Sequence, residues 1–202
     1  MLDESNEGNN QKRFRVVIFG SARIEKGDPN WYLIFDLAKR IAEEGMDVVT
    51  GGGPGLMNAA SEGHNEGDIN QNCNSIGLQI ILPKVQRDAR HLDIKKEFSR
   101  FSERLDNFIE LANAVVVAPG GVGTMLEFYY TWQLMQVKMI HDIPLILFGN
   151  MWQEFVQWIK KWSLKNGFLE QKDVDLLFLV NNNEGALIII KEAYEKFNKK
   201  MN

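Results

Sequence analysis

The stretch "NAVVVAPGGVGTMLEFYYTW" (113–132) decides the fold. Ala114 to Val117 form a short, continuous, β-branched run, the signature of a strand covered on both faces. Pro119, Gly120 and Gly121 then stop the strand. From Gly123 the spacing of apolar residues is helical and continues to Ile140. A strand that leaves through a glycine turn straight into a helix is half of a parallel βαβ unit.

The same alternation runs outward in both directions. Strands are expected in "RFRVVIFG" (13–20), "MDVVTGGG" (46–53), "SIGLQIILP" (75–83), "IPLILFG" (143–149) and "VDLLFLVN" (174–181). Helices are expected over 31–45, 54–67, 95–112, 151–167 and 184–200. Six strands alternating with helices predict a single Rossmann-like α/β domain over 13–202, with a mostly parallel, doubly wound sheet. Residues 1–12, "MLDESNEGNNQK", offer little apolar surface and are expected to be a disordered tail. Only "NEGDINQNCN" (65–74) falls out of the rhythm, as a polar loop.

Composition narrows the function. The chain has 202 residues, 45% hydrophobic and 25% charged, with a formal net charge of −4. It therefore lacks the global basic excess of a nucleic-acid binder. The lone Cys73 excludes an internal disulfide, and His64, His91 and His141 have no ligand spacing, so no metal site is expected. The chain shows no membrane-spanning run and opens on an acidic, polar stretch, which points to the cytoplasm.

Three strands end in glycine-bearing turns: "FGSAR" (19–23), "TGGGPGLM" (50–57) and "APGGVGT" (118–124). Parallel strands put all three on one sheet edge, where open α/β sheets bind ligands. Glycine admits close backbone approach, and a following helix offers free N–H groups to an anion. Gly20, Ser21, Gly52, Gly53, Gly55, Pro119, Gly120, Gly121, Gly123 and Thr124 are thus expected to cradle a phosphate. A single such turn is as often only a tight connection; three on one edge are not. There is no GxxxxGK[ST] and no GxGxxG, so neither a P-loop nor an ordinary dinucleotide site is expected. Glu127 lies three residues beyond Thr124, on the same helical face. The helix dipole alone would favour an acid there. Beside a phosphate, however, the carboxylate needs another purpose, such as sugar hydroxyls or an electron-poor carbon.

These motifs resemble those of the LOG ("lonely guy") family of cytokinin riboside 5'-monophosphate phosphoribohydrolases, over roughly residues 14 to 197. "PGGVGTMLE" matches the signature PGGxGTxxE. "GGGPGLM" matches GGGxxGLM, here one residue shorter, and "FGSAR" matches the first turn. The middle of the chain looks most like the bacterial long-form branch, often labelled "possible lysine decarboxylase". The family arginine before the PGG strand falls on Arg104 in "FSERLDNF", with Arg100 a lesser candidate, and Leu105 stands where many members have lysine.

The resemblance implies hydrolysis of a nucleoside 5'-monophosphate at its N-glycosidic bond, with Arg104 and Glu127 as the catalytic pair and no cofactor. Met57 is placed to pack on the base. The lysine decarboxylase label implies a pyridoxal Schiff base, yet the glycine loops contain no lysine. Two other classes share the architecture: non-catalytic nucleotide or molybdenum-cofactor carriers, and DNA-handling proteins, the latter opposed by the acidic balance. The resemblance also implies a homodimer or larger assembly. The helix from Phe128 to Met139 points the same way, being apolar on more than one face.

Overall fold

A computed structural model describes residues 13–82 and 89–201; the expected tail at 1–12 lies outside them. Seven strands form one sheet: β1 (Arg15–Phe19), β2 (Asp47–Thr50), β3 (Ser75–Ile80), β4 (Ile94–Phe98), β5 (Ala114–Val117), β6 (Leu145–Phe148) and β7 (Leu177–Val180). Their order is β4-β3-β2-β1-β5-β6-β7, and every neighbouring pair is parallel. The fold is Rossmann-like α/β. The chain builds outward from β1 to one edge, then returns to lay β5 against the other side of β1. That reversal opens a crevice beyond the ends of β1 and β5.

Among the described residues, seven α-helices cover the two faces: α1 (Pro29–Glu43), α2 (Leu56–Gly67), α3 (Phe101–Leu111), α4 (Val122–Gln136), α5 (Asn150–Ile159), α6 (Gln171–Val174) and α7 (Asn183–Met201). Ile34, Leu37 and Ile41 of α1, Ala59 and Ala60 of α2, and Ala186 and Ile190 of α7 pack on one face of the sheet, against Val16, Ile18 and Val48. Phe108 of α3, Phe128 and Trp132 of α4, and Trp152 and Val156 of α5 pack on the other, against Val17, Val115 and Leu147. Strands β1, β2, β5 and β6 are buried almost throughout. The continuous apolar runs of β1, β5 and β6, and Val48–Val49 of β2, reflect burial on both faces.

The sheet has one strand more than the sequence predicts. "KKEF" was expected to begin the helix 95–112; instead Ile94–Phe98 is the edge strand β4, and α3 starts at Phe101. Lys95, Lys96 and Glu97 are good helix formers, and the run is too short to display a strand period. Pairing decides it. Asp93 accepts the Ser75 N–H at 2.7 Å through its side chain, and its own N–H donates to Ser75 O at 2.9 Å, which sets β4 in register with β3. Phe98 is then buried, while the lysines guard an exposed sheet edge. The helix expected over 151–167 also breaks differently. α5 widens into a π-helical turn at Lys160–Leu164, and α6 follows as a single capped turn.

Candidate active site at the switch between β1 and β5

The three glycine turns meet beyond the strand ends. The Ser21 N–H donates to Pro119 O at 3.0 Å, and Ser21 O accepts the Leu56 N–H at 2.9 Å. The β1 turn is thereby fastened to the β5 turn on one side and to the first residue of α2 on the other. Gly55 makes this possible. Its φ is +70°, and an added Cβ would lie 2.3 Å from Ser21 O. No other residue fits at such a distance with that backbone conformation.

Together the turns bound a cleft of about 710 Å³. Gly20, Ser21, Gly53, Met57, Gly121, Gly123, Thr124, Arg104 and Glu127 all line it, as expected from the sequence. Gly52, Gly55, Pro119 and Gly120 stand behind that lining. Gly55 and Pro119 fasten the turns. Gly120 leaves room for Thr124, since a Cβ there would fall 2.1 Å from its Oγ1. Gly52 packs against Gly77, and its carbonyl accepts a 2.7 Å hydrogen bond from Gln79 Nε2. Arg100 does not line the cleft; its guanidinium is exposed beside Glu103.

Helix α4 begins in the cleft. Its N-cap is Gly121, which has no side chain to satisfy the first turn. The first helical bond runs from Met125 N–H to Gly121 O at 2.9 Å. The N–H groups of Val122, Gly123 and Thr124 precede that bond and have no partner within the helix. One turn on, Glu127 reaches back to Arg104.

Arg104 is held on every side. Its Nε donates to Leu78 O at 2.6 Å, its Nη1 donates to Glu127 Oε1 at 2.9 Å, and its Cζ lies 4.8 Å over the ring of Phe108. The two side chains are only 9% and 12% exposed. Burial pushes the Glu127 carboxyl above the usual carboxylate range, and the guanidinium beside it pulls the other way. Burial likewise lowers Arg104, opposed by the charge of Glu127. An arginine stays charged regardless.

The sequence did not disclose the rest of the wall. Gly51 was passed over in favour of Gly52 and Gly53, yet a Cβ on Gly51 would lie 2.4 Å from Arg104 Nη2, so this glycine makes the seat for the guanidinium. Phe101 lies three residues before Arg104 on the same helical face, and its ring is 52% exposed along the cleft. The helical spacing from Arg104 could have revealed it. Gln79, Ile80, Ile81 and Leu82, from the end of β3, and Glu97, from β4, complete that side. Finding Glu97 required knowing that β4 exists.

This is a Rossmann-like protein whose cleft sets an ion pair beneath the open end of a helix, at the point where strand order reverses. The chain belongs to the family described as "Possible lysine decarboxylase", whose model matches residues 57–190. It is 30% identical over 151 residues to the pyrimidine/purine nucleotide 5'-monophosphate nucleosidase of Escherichia coli (strain K12), a match over 66% of this chain and 30% of that protein. The chain thus spans less than a third of the length of that relative. Among solved structures, the molybdenum cofactor binding protein from Rippkaea orientalis superposes with a TM-score of 0.68 at 17% identity, over 90% of this chain and 98% of that one. The Moco carrier protein from Chlamydomonas reinhardtii gives 0.65 at 23%, over 92% and 99%. DNA processing protein A from Helicobacter pylori gives 0.55 at 17%, over 91% and 81%. These likenesses establish the fold alone.

Proposed function

We propose that the cleft hydrolyses the N-glycosidic bond of a nucleoside 5'-monophosphate, releasing the free base and ribose 5-phosphate. The observation that carries this reading is the Arg104–Glu127 pair, 2.9 Å apart in the wall of a cleft that also holds the uncapped N-terminus of α4. In this reading the 5'-phosphate meets the N–H groups of Val122 to Thr124, the Thr124 hydroxyl and the turn at Ser21. The sugar then lies over Glu127, and the base extends toward Met57 and Phe101.

The chemistry follows from charge. As the bond from the anomeric carbon to the base nitrogen breaks, its electron pair leaves with the base and positive charge grows on the sugar. A fixed carboxylate nearby stabilises that charge and accepts a hydrogen bond from the attacking water. Water oxygen bonds to the anomeric carbon, one of its protons ends on the base, and the other stays as the new hydroxyl. Arg104 holds Glu127 in position and favours its ionised form. The phosphate, remote from the reacting bond, contributes binding energy that positions the sugar. The E. coli relative, named for activity on purine and pyrimidine nucleotide 5'-monophosphates, supports this reading.

The family description points instead to amino-acid decarboxylation. Among the described residues the cleft lining holds no lysine, the residue on which a pyridoxal Schiff base would form. A carrier without catalysis needs no carboxylate poised on an arginine, so the ion pair favours the enzyme. No helix of the described residues is long and apolar enough to cross a membrane, which suits a cytoplasmic enzyme acting on soluble nucleotides. The deciding experiment is a panel of nucleoside 5'-monophosphates incubated with the protein, with released base measured by chromatography. Release that disappears in Glu127→Gln supports the reading. No release from any member of the panel overturns it.

A further inference from the structure

Among the described residues, two arginines line the cleft, Arg23 and Arg104. Arg104 is committed. It is bonded to Leu78 O and to Glu127, stacked on Phe108, and Gly51 has no Cβ because Nη2 occupies the space. To follow an anion it would have to leave a buried carboxylate unpaired, the costliest change an ion pair can undergo. Arg23 is in the opposite condition. Among the described residues its guanidinium makes no ion pair, and it is exposed along the cleft. The backbone beneath it is fixed. Its N–H donates to Ser21 Oγ at 3.1 Å, and Ser21 is itself bonded to Pro119 and to Leu56. An exposed cation without an ion pair, on an anchored turn that shares the cleft with the open N-terminus of α4, has the form of an anion clamp. Guanidinium groups also match phosphate in a two-pronged geometry.

We propose that Arg23 is the side-chain cation that binds the substrate's 5'-phosphate, and that it sets the preference for phosphorylated over unphosphorylated nucleosides. This rests on the nucleoside monophosphate reading of the cleft. Arg104 then acts on the sugar side, as the positioning residue of Glu127. Of these two arginines, one serves the anion and one the carboxylate.

The test uses ribose 5-phosphate as the probe, with ribose as its uncharged control, so that binding is read without turnover. Calorimetric titration of wild type, Arg23→Ala and Arg23→Lys is expected to show ribose 5-phosphate binding weakened about tenfold or more in the alanine variant and partly restored in the lysine variant. Added salt should weaken the wild type more than the alanine variant. With a nucleoside monophosphate, Arg23→Ala should raise KM more than it lowers kcat. Equal ribose 5-phosphate affinity in wild type and Arg23→Ala overturns the proposal. So does an alanine variant that loses affinity for ribose and ribose 5-phosphate alike. If no base is released by the wild type, yet ribose 5-phosphate binding still depends on Arg23, the anion clamp stands and the hydrolase reading falls.

Discussion

Glu127 is a carboxylate that the fold holds mostly buried in the cleft wall, paired with Arg104. Substituting it by glutamine keeps the shape and the bond from Arg104 while removing the charge. Turnover is expected to fall about a hundredfold or more, the usual scale for losing a preorganised charge, with the thermal unfolding transition retained. A variant within threefold of wild type would remove Glu127 from the mechanism. The pH dependence has a definite sign. Burial raises the Glu127 pKa above its ordinary value, and the reaction needs the ionised form. The acid limb of kcat/KM should therefore lie above about 4.3, the pKa of an unperturbed glutamate. Arg104 opposes the upward shift, so Arg104→Met should move the limb further up; an unmoved limb would deny the pair its coupling. The same shift bears on stability. A carboxyl whose pKa is raised on folding contributes stability below its unfolded pKa, and that contribution is lost as pH rises through the folded value. Ionising Glu127 in the folded protein thus comes at some cost to its stability.

At the scale of elements, α2 lies unusually close to α1. Cβ atoms on Gly63 and Gly67 would fall 2.0 Å from Phe35 O and 2.1 Å from Lys39 O. Inside a helix, alanine is better than glycine by about 1 kcal/mol. Here the obstacle is backbone, which cannot turn aside as a side chain would, and overpacking of this kind costs about 1–3 kcal/mol. The clash wins. Gly63→Ala is expected to lose about 2 kcal/mol in urea unfolding, an outcome opposite to helix propensity. It should also disturb the cleft, because α2 carries Met57 and is fastened through Leu56 to the Ser21 turn. A stabilised Gly63→Ala protein would show that the helices can separate freely. Phe101 tests the far end of the cleft. Its ring has space on the cleft side, and stacking on a base is worth about 1–3 kcal/mol. Phe101→Ala should raise KM for nucleoside monophosphates roughly tenfold while leaving ribose 5-phosphate affinity near wild type. Equal losses for both ligands would place the base elsewhere.

At the scale of the whole molecule, α4 is only partly covered. Phe128 and Trp132 are buried, and α5 accounts for much of this through Trp152 and Phe155. The neighbouring helix thus explains one side of the apolar stripe. Leu126 and Tyr129 remain exposed on α4, as do Val137 and Met139 just past its end at Gln136, Met139 at 74%. Large apolar side chains left exposed on one helix and on the turn that follows it mark an interface. We infer a two-fold dimer with α4 at its centre. Light scattering at micromolar concentration should report twice the mass of one chain, and Tyr129→Glu should reduce it and lower turnover, since the first turn of the same helix carries Thr124. A wild-type monomer with full activity would defeat this.

Much of the fold was legible in the sequence because parallel strands buried on both faces tend to be continuous apolar runs, as β1, β5 and β6 are. The turns were legible because only glycine meets their demands; Gly55, at φ +70° with Ser21 O 2.3 Å from any Cβ, could be nothing else. Glu127 was legible because three residues along a helix is a fixed distance from Thr124. Three things were not. Strand β4 was hidden because "KKEF" favours a helix locally and becomes a strand only when β3 offers it partners. The seat of Arg104 on Gly51 joins residues 53 positions apart in sequence, which no local pattern records. The contrast between the two arginines, one locked and one without an ion pair among the described residues, depends on which buried groups each can reach. Sequence by itself determined most of the elements and the chemistry-bearing residue types, since these follow from local periodicity and spacing. Only the tertiary structure decided which charges meet, because ion pairs and close backbone contacts are set by distance through space.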